Sequence, residues 1–385
     1  MLKVTPKYQA RSGLKFFNSL LALFFLPAFL PVFSYGLQLK LDSGYTSDVY
    51  RDGERSEKSA FLFPEARVRF ENINTERGYG LYLQFYGNGR IFLSESRAHE
   101  VTSGGSMESV HVMGNASELS HELAYDFSNQ NLDSVDKVKA HSVGVYNRAR
   151  FLGESSDHSF RVPVTIKIFS DTTTGGATDV TNVFRAQEAD FRDSHLLTGF
   201  QYEWAHRIQK KLTLKVEPSI DYRHYFERKA RATDGGVLQE AGDSLDELRL
   251  KARIASEWDG RRFESKGGFL GGYNLDLVNK AEDYYDLNPF VETSLRLTRR
   301  LKLSSQAQYT FRQYFNKLQD SFSLSGSKLN THQVLVGGLA VYRVSKAASI
   351  KAFVDWERHD SNESTGGFNT DYTAITTGIG FNLNI

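Results

Sequence analysis

Five stretches of this chain place ionisable residues at two-residue spacing, which sets them on one face of an extended strand. They are Glu65/Arg67/Arg69/Glu71, Lys215/Glu217/Asp221/Arg223, Arg249/Lys251/Arg253/Glu257, Glu292/Arg296 and Lys351/Asp355/Glu357. Such a face can meet bulk water, pair with a neighbouring strand or line a polar passage. The segments Lys211–Tyr225 and Leu245–Trp258 test the second idea by register. If facing residue numbers sum to about 472, Asp221 meets Lys251 and Lys215 meets Glu257. If they sum to about 470, Asp221 meets Arg249 and Glu217 meets Arg253. Opposite charges face each other either way, as cross-strand pairing favours.

Catalytic and metal-binding patterns are weaker. The chain has 10 His, and Asp193-Ser194-His195 invites a nucleophile–base reading. Strand alternation sends Ser194 and His195 to opposite faces, so they cannot pair within one strand. Ser120-His121 and His141-Ser142 fail for the same reason. There is no His-Glu-x-x-His and no His pair at ligand spacing. Glu282, Asp283 and Asp286 could attract divalent ions, including those that bridge lipopolysaccharide, but without ordered ligand spacing they read as solvated loop charge. No cofactor, metal centre or catalytic residue is expected.

The opposite faces of the charged strands are apolar. Leu62/Ala66/Val68/Phe70, Phe160/Val162/Val164/Ile166/Ile168, Leu196/Thr198/Phe200/Tyr202/Trp204, Leu248/Leu250/Ala252/Ile254/Trp258 and Ile350/Ala352/Val354/Trp356 all follow period two, and none sustains a 3.6-residue period. Connections alternate in length. Asn72–Arg77, Glu154–His158, His206–Lys211, Asp259–Arg262, Thr298–Arg300 and Ser345–Ala348 are short. Thr46–Ser59, Asp171–Asp193, Glu227–Ser244, Asp276–Tyr285, Lys317–Asn330 and Asp360–Thr370 are longer and polar. Outer-membrane barrels have short periplasmic turns and long outer loops, which sets the orientation. The segment from Phe92 to Val138 hides its strands; parity asks for two, around Glu108–Gly114 and Leu119–Phe127. Pro64 and Pro289 fall near the outer rim and Pro163 near the inner one. Pro218 lies within the Leu212–Tyr222 strand, where a bulge is expected.

The last eleven residues alternate too: Ile375, Thr377, Ile379, Phe381, Leu383 and Ile385 oppose Thr376, Gly378, Gly380, Asn382 and Asn384. A chain ending on so apolar a strand must hide its edge, most fully by closing a barrel against Leu37–Tyr45. This ending resembles the C-terminal signal of bacterial outer-membrane β-barrels: Gly380, Leu383 and Ile385 fill its glycine, apolar and terminal positions, with Ile where Phe is usual and Gly378 where a polar residue is usual. At the other end Lys3, Lys7, Arg11 and Lys15 precede an apolar run from Phe16 to Phe33 and the small residues of Ser34-Tyr35-Gly36, the pattern of a cleaved secretory signal over 1–36. An uncleaved N-terminal anchor is the alternative, disfavoured by Pro27 and Pro31 within the run.

Without 1–36 the chain has 43 basic and 46 acidic residues, a formal charge of −3 in place of +1. That balance, with no basic stripe, excludes a nucleic-acid partner. The chain has no Cys, which excludes disulfides and a lipid-anchored cysteine. It has 28 Phe, 19 Tyr and 31 Gly against 7 Pro, with a mean hydropathy of −0.43, as suits strands that are apolar only at alternate positions. Gly44-Tyr45-Thr46-Ser47-Asp48-Val49-Tyr50 resembles the opening of the beta-barrel porin-2 type, with Asp48 where Asn is usual, and Asp360-Ser361-Asn362 is similar to that family's last loop. The two segments are short and cover only a small part of the chain. The resemblance implies an outer-membrane barrel, porin-like, and supplies no substrate or catalytic residue.

These readings converge on an all-β fold in which residues 37–385 form one closed antiparallel transmembrane barrel of about 16 strands (range about 14–18), at about 22 residues per strand with its connection. Glu65, Arg67, Arg69, Lys215, Glu217, Asp221, Arg223, Arg249, Lys251, Arg253, Glu257, Arg296, Lys351 and Asp355 would line its lumen. Trp204 and Trp258 would sit in the inner aromatic girdle and Trp356 in the outer. Gly380, Phe381, Leu383 and Ile385 would close and assemble the barrel. The expected role is passive diffusion of small hydrophilic solutes across the cell outer membrane. Expected partners are outer-membrane lipid, lipopolysaccharide and the machinery that assembles such barrels. The alternatives are a non-conducting structural, assembly or export barrel and, third, an outer-membrane enzyme.

Overall fold

The computed structural model describes residues 34–48, 58–76, 78–94, 99–114, 116–131, 137–170, 194–232, 239–280, 283–318, 328–362 and 371–385. They form sixteen strands: β1 (Ser34–Thr46), β2 (Ser59–Asn74), β3 (Tyr79–Phe92), β4 (Glu100–Met113), β5 (Ser117–Asn131), β6 (Lys137–Leu152), β7 (Ser156–Ser170), β8 (His195–Gln209), β9 (Leu212–Ala232), β10 (Gln239–Asp259), β11 (Phe263–Asp276), β12 (Tyr284–Arg296), β13 (Leu301–Leu318), β14 (Lys328–Arg343), β15 (Ala348–Ser361) and β16 (Tyr372–Asn384). Each pairs antiparallel with its sequence neighbours, and β1 pairs with β16 to close the barrel. No helix among the described residues is long and apolar enough to cross a membrane.

Closure comes from the chain ends. Leu39 lies opposite Leu383, Leu41 opposite Phe381 and Ser43 opposite Ile379. The last residue is clamped as well, since the Leu37 and Ile385 amides donate to each other's carbonyls at 2.8 Å. β1 begins at Ser34, three residues before the expected start of the barrel, and its first pair is Ser34 with Glu71.

Connections of two to four residues alternate with connections of five to 24 around the whole ring. Apart from the one between β7 and β8, the long connections are shorter than expected because strands reach further out. The expected loop Glu227–Ser244 is mostly ladder: β9 runs to Ala232 and β10 starts at Gln239, with register shifts between Glu240 and Asp246. The hidden strands between Phe92 and Val138 are β4 and β5, both longer than sequence suggested. The period of β4 was masked because it turns Ser103, Gly105, Ser109 and His111 outward, where other strands, β5 included, carry Leu, Val, Tyr or Phe.

Proline overturns the expected bulge. Pro218 pairs in register with Ala252 of β10, and toward β8 the register is the same on both sides of it: Gln201 faces Ser219 and Trp204 faces Val216. The ladder simply lapses at Tyr202 and Glu203, where the missing N–H would have pointed. Pro64, Pro163 and Pro289 do the same, each keeping one neighbour and losing two steps of the other without a shift. Pro163 is also not at the inner rim but midway along β7.

The outer wall is apolar and exposed. Leu41, Ile254, Phe269 and Ile379 stand 51%, 52%, 59% and 63% accessible. The interior instead holds polar and charged groups, among them Asp42, Asn274, Asp276, Glu247 and Glu357, all buried. This inversion of the soluble pattern defines a lipid-facing wall and a polar lumen. Deleting Phe381–Ile385 removes four of the nine β1–β16 pairs and the Leu37–Ile385 clamp. The truncated chain should fail to insert into liposomes and should lack a heat-modifiable folded band on electrophoresis; wild-type behaviour would contradict the seam described here.

Candidate functional site: the charged lumen

Register decides which charges meet. The β9–β10 pairs sum to 470, so Glu217 faces Arg253 and binds it directly at 3.4 Å, while Arg249 lies opposite Asp221. Two further pairs run diagonally: Lys251 reaches Asp221 at 3.3 Å and Lys215 reaches Glu257 at 3.0 Å. Lys266 of β11 binds the same Glu257 at 3.1 Å. Arg249 instead turns to β11 and β12, donating to Asn274 Oδ1 at 3.3 Å and to the Tyr284 hydroxyl. Arg223 joins Glu247 at 3.4 Å and the Tyr225 hydroxyl at 2.9 Å. Arg296 and Lys302 share Glu264. From β9 to β13 the wall is therefore a mesh of half-buried ion pairs.

β1 and β2 continue it. Lys40 binds Glu65 at 2.9 Å, Arg67 approaches Glu65 at 3.6 Å, and Arg69 binds Glu71 at 2.8 Å while its guanidinium lies 4.7 Å from the Tyr82 ring. Across the seam Lys351 of β15 reaches over β16 to Asp42 of β1 at 2.7 Å. It can do so because β16 has glycine beneath it: a Cβ on Gly380 would lie 2.0 Å from Asp42 Oδ1 and 2.7 Å from Lys351 Cε. Phe353 covers Gly378 and Phe61 covers Gly44 in the same way. Two other lumen glycines repeat the arrangement. Tyr86 crosses Gly104 to bond Asp126, and Gln306 and Asp355 converge over Gly337.

The wall from β4 to β8 differs. Glu108 and Glu122 face each other across β4 and β5, and among the described residues no ion pair includes either. Arg148 donates to Ser159 Oγ at 2.9 Å and Arg161 stacks over Tyr146 at 4.5 Å, and among the described residues neither has a carboxylate partner. Glu108, Glu122, Arg148, Arg161, Glu203, Glu217, Lys251 and Arg253 line one cavity of about 500 Å³. Sequence reading missed the first five. Glu108 lies on β4, whose outward face carries too few apolar residues to mark the strand, and the other four stand singly among polar or apolar neighbours, where no run of charges at two-residue spacing marks them.

The tryptophans all face outward. Trp204 and Trp258 lie five residues and one residue from the short-turn ends of β8 and β10; Trp356 lies five residues from the long-loop end of β15. Histidine shares these levels on the outer wall. His158 bonds the Tyr202 hydroxyl at 2.8 Å, and His121 bonds Asn147 at 2.7 Å. Ser156 and His206 lie 2.7 Å apart on adjacent strands, a pairing no single-strand reading could find. His206 stacks on Trp204, and among the described residues no carboxylate orients it, so it lacks the third member of a hydrolytic triad. No group of three metal-ligating side chains occurs among the described residues. Glu282 lies outside the described residues, and Asp286 sits in β12 beside Arg312 at 3.7 Å.

At the long-loop rim Asp283 Oδ1 accepts from the Asp276 amide at 2.6 Å. Burial, with the Asp276 carboxylate nearby, raises its pKa above the ordinary aspartate range.

A closed antiparallel barrel with an apolar outer wall and an ionised lumen is an outer-membrane barrel, its short turns periplasmic and its long connections extracellular. No family model and no curated protein matches the sequence. Solved structures of similar architecture include an anion-selective porin from Comamonas acidovorans (TM-score 0.46, 11% identity, 92% of this chain and 99% of that one). They also include the outer membrane protein opdK from Pseudomonas aeruginosa (0.47, 9%, 91% and 99%) and OmpT of Vibrio cholerae (0.48, 9%, 92% and 97%). Likeness at this level assigns no activity or substrate.

Two outcomes follow from this geometry. Gly380→Val should separate Lys351 from Asp42 and cost roughly 1–3 kcal/mol by overpacking, read as a lower unfolding midpoint in detergent. Gly271→Val, whose Cβ would meet nothing closer than 4.0 Å, should leave the midpoint unchanged. Because Asp283 has a raised pKa in the fold, protonation stabilises its connection; that gain is full at acid pH and is lost as pH rises through the raised value. Exchange of the Asp276 amide, corrected for intrinsic rate, should speed up across that range, and Asp283→Asn should abolish the dependence.

Proposed function

We propose that the protein is a porin-like channel through which small hydrophilic solutes cross the outer membrane by passive diffusion. The observation that carries this reading is the polar inner wall around the 500 Å³ cavity, in which Glu108, Glu122, Arg148 and Arg161 have no ion-pair partner among the described residues. A wall built only for support would pair its charges, as β9 to β13 do. Unpaired groups of both signs in a wet passage suit zwitterionic or mixed-charge solutes, whose two ends can be matched together. Outer-membrane lipid, lipopolysaccharide and the assembly machinery remain the expected partners.

Purified protein in planar bilayers should give discrete conductance steps. Changing Arg249, Lys251 and Arg253 together to Ser strands Asp221 and Glu217 as free carboxylates, so reversal potentials in a salt gradient should move toward cation selectivity with folding intact. Leu250→Arg, on the outer wall, should instead cost roughly 2–4 kcal/mol near the bilayer midplane. A silent bilayer would favour a non-conducting structural or export barrel, and unaltered selectivity would remove this patch from the conducting wall.

A further inference from the structure

The short turns of the barrel are not alike. The β8–β9 turn holds Lys210 and Lys211, the β10–β11 turn Arg261 and Arg262, and the β12–β13 turn Arg299 and Arg300. Arg343 and Lys346 flank the β14–β15 turn. All eight residues are exposed. Among the described residues none takes part in an ion pair, although lumen cations on the same hairpins, such as Arg296, Lys302, Lys215 and Lys266, each have a carboxylate. The three remaining short turns carry Glu76 and Glu154 and no cation among their described residues. Among the described residues the basic turns therefore run from β8 to β15; the sequence of the other three short turns holds one cation, Arg77, outside the described residues, against eight here.

Three of the basic pairs recur in one local pattern. Ile208 precedes and Leu212 follows Lys210-Lys211; Trp258 and Phe263 bracket Arg261-Arg262; Leu297 and Leu301 bracket Arg299-Arg300. All these bracketing side chains except Leu212 and Leu301 are at least 38% exposed; β8, β10 and β11 turn Ile208, Trp258 and Phe263 outward, and Leu297 lies just past the end of β12. Each cation pair therefore sits where the apolar wall ends, at the depth of lipid headgroups. The cations follow the wall around half the circumference.

We propose that this arc binds anionic phospholipid, taking the headgroup phosphates of the periplasmic leaflet while the bracketing side chains hold the acyl chains. Charge complementarity and depth select the occupant. An acidic protein docking from below would not require cations placed at the hydrocarbon boundary in turn after turn. Each Lys or Arg near such a surface adds a similar electrostatic increment, so eight give a strong, salt-sensitive preference. The claim is independent of conduction.

The test uses the full-length mature protein in mixed micelles containing phosphatidylglycerol and phosphatidylethanolamine in equal amounts, with retained lipid read by native mass spectrometry. Wild type should retain phosphatidylglycerol at least about fivefold over phosphatidylethanolamine, and the preference should fall steeply with added salt. R261Q/R262Q alone should reduce it measurably. The variant with all eight cations changed to Gln should reduce it to about one, while keeping the heat-modifiable folded band. Because the two-residue variant and the wild-type salt series need no heavily altered protein, a folding failure of the eightfold variant leaves the test decisive. Equal retention of the two lipids by wild type, or a preference unchanged in R261Q/R262Q and unaffected by salt, would overturn the proposal. So would binding of an acidic periplasmic protein to the arc in place of lipid.

Discussion

The whole molecule depends on one constraint: in hydrocarbon no backbone N–H or C=O can be left without a partner. A sheet satisfies it only by having no edge, and here the satisfying contact is β1 against β16, sealed at its end by the reciprocal Leu37–Ile385 bonds. Once the ring is closed, side chains have only two destinations. Period two then assigns every residue to lipid or lumen, and the division between an apolar exterior and an ionised interior follows from closure rather than from any separate core. The buried residues bear this out, since more of them are polar or charged than apolar.

Within the lumen, the limiting quantity is room beside the wall. Neighbouring strands lie roughly 4.8 Å apart, so a Lys that reaches a carboxylate two strands away must pass over the strand between, and it lies closest to the wall where that strand offers no side chain. Glycine supplies that gap at Gly380, and Gly104 and Gly337 allow the equivalent crossings by Tyr86 and Gln306. These crossings tie strands that are not hydrogen-bonded to each other. At the seam this matters most, because β15, β16 and β1 come from opposite ends of the chain, and Lys351–Asp42 spans all three.

Much of this was legible in the sequence, because a barrel strand announces itself by alternation wherever both faces are pronounced. The strands bearing Leu250 or Ile379 could be placed, their lumen charges named and the sixteen-strand count reached by parity. β4 and β5 were placed only by parity and too short, and for β4 the reason is physical: with Ser103, Gly105, Ser109 and His111 outward, the contrast between faces collapses. Register was narrowed to two values but not chosen between, since both put opposite charges together. Diagonal pairs such as Lys251–Asp221, and the Ser156–His206 contact, depend on which residues face each other across separate strands. Sequence spacing within one strand carries no information about that. The bulge expected at Pro218 failed because a proline in a closed wall can lose its bond toward one neighbour while the other neighbour holds the register.

That behaviour has a mechanical side. Pro163 and Pro218 sit on different strands, yet both open the ladder toward β8. Around Gly199 and Phe200 this strand is released from β7, and at Tyr202 and Glu203 it is released from β9. A ring whose stiffness comes from lateral bonds is softest where those bonds are missing on both flanks of one strand. β8, where both lapses fall between Gly199 and Glu203, is therefore a compliant stave of the barrel, and Gln201 and Glu203 on its inner side border the lumen cavity. Any change in bore that leaves the seam intact would be absorbed there first, on the far side of the barrel from the chain ends.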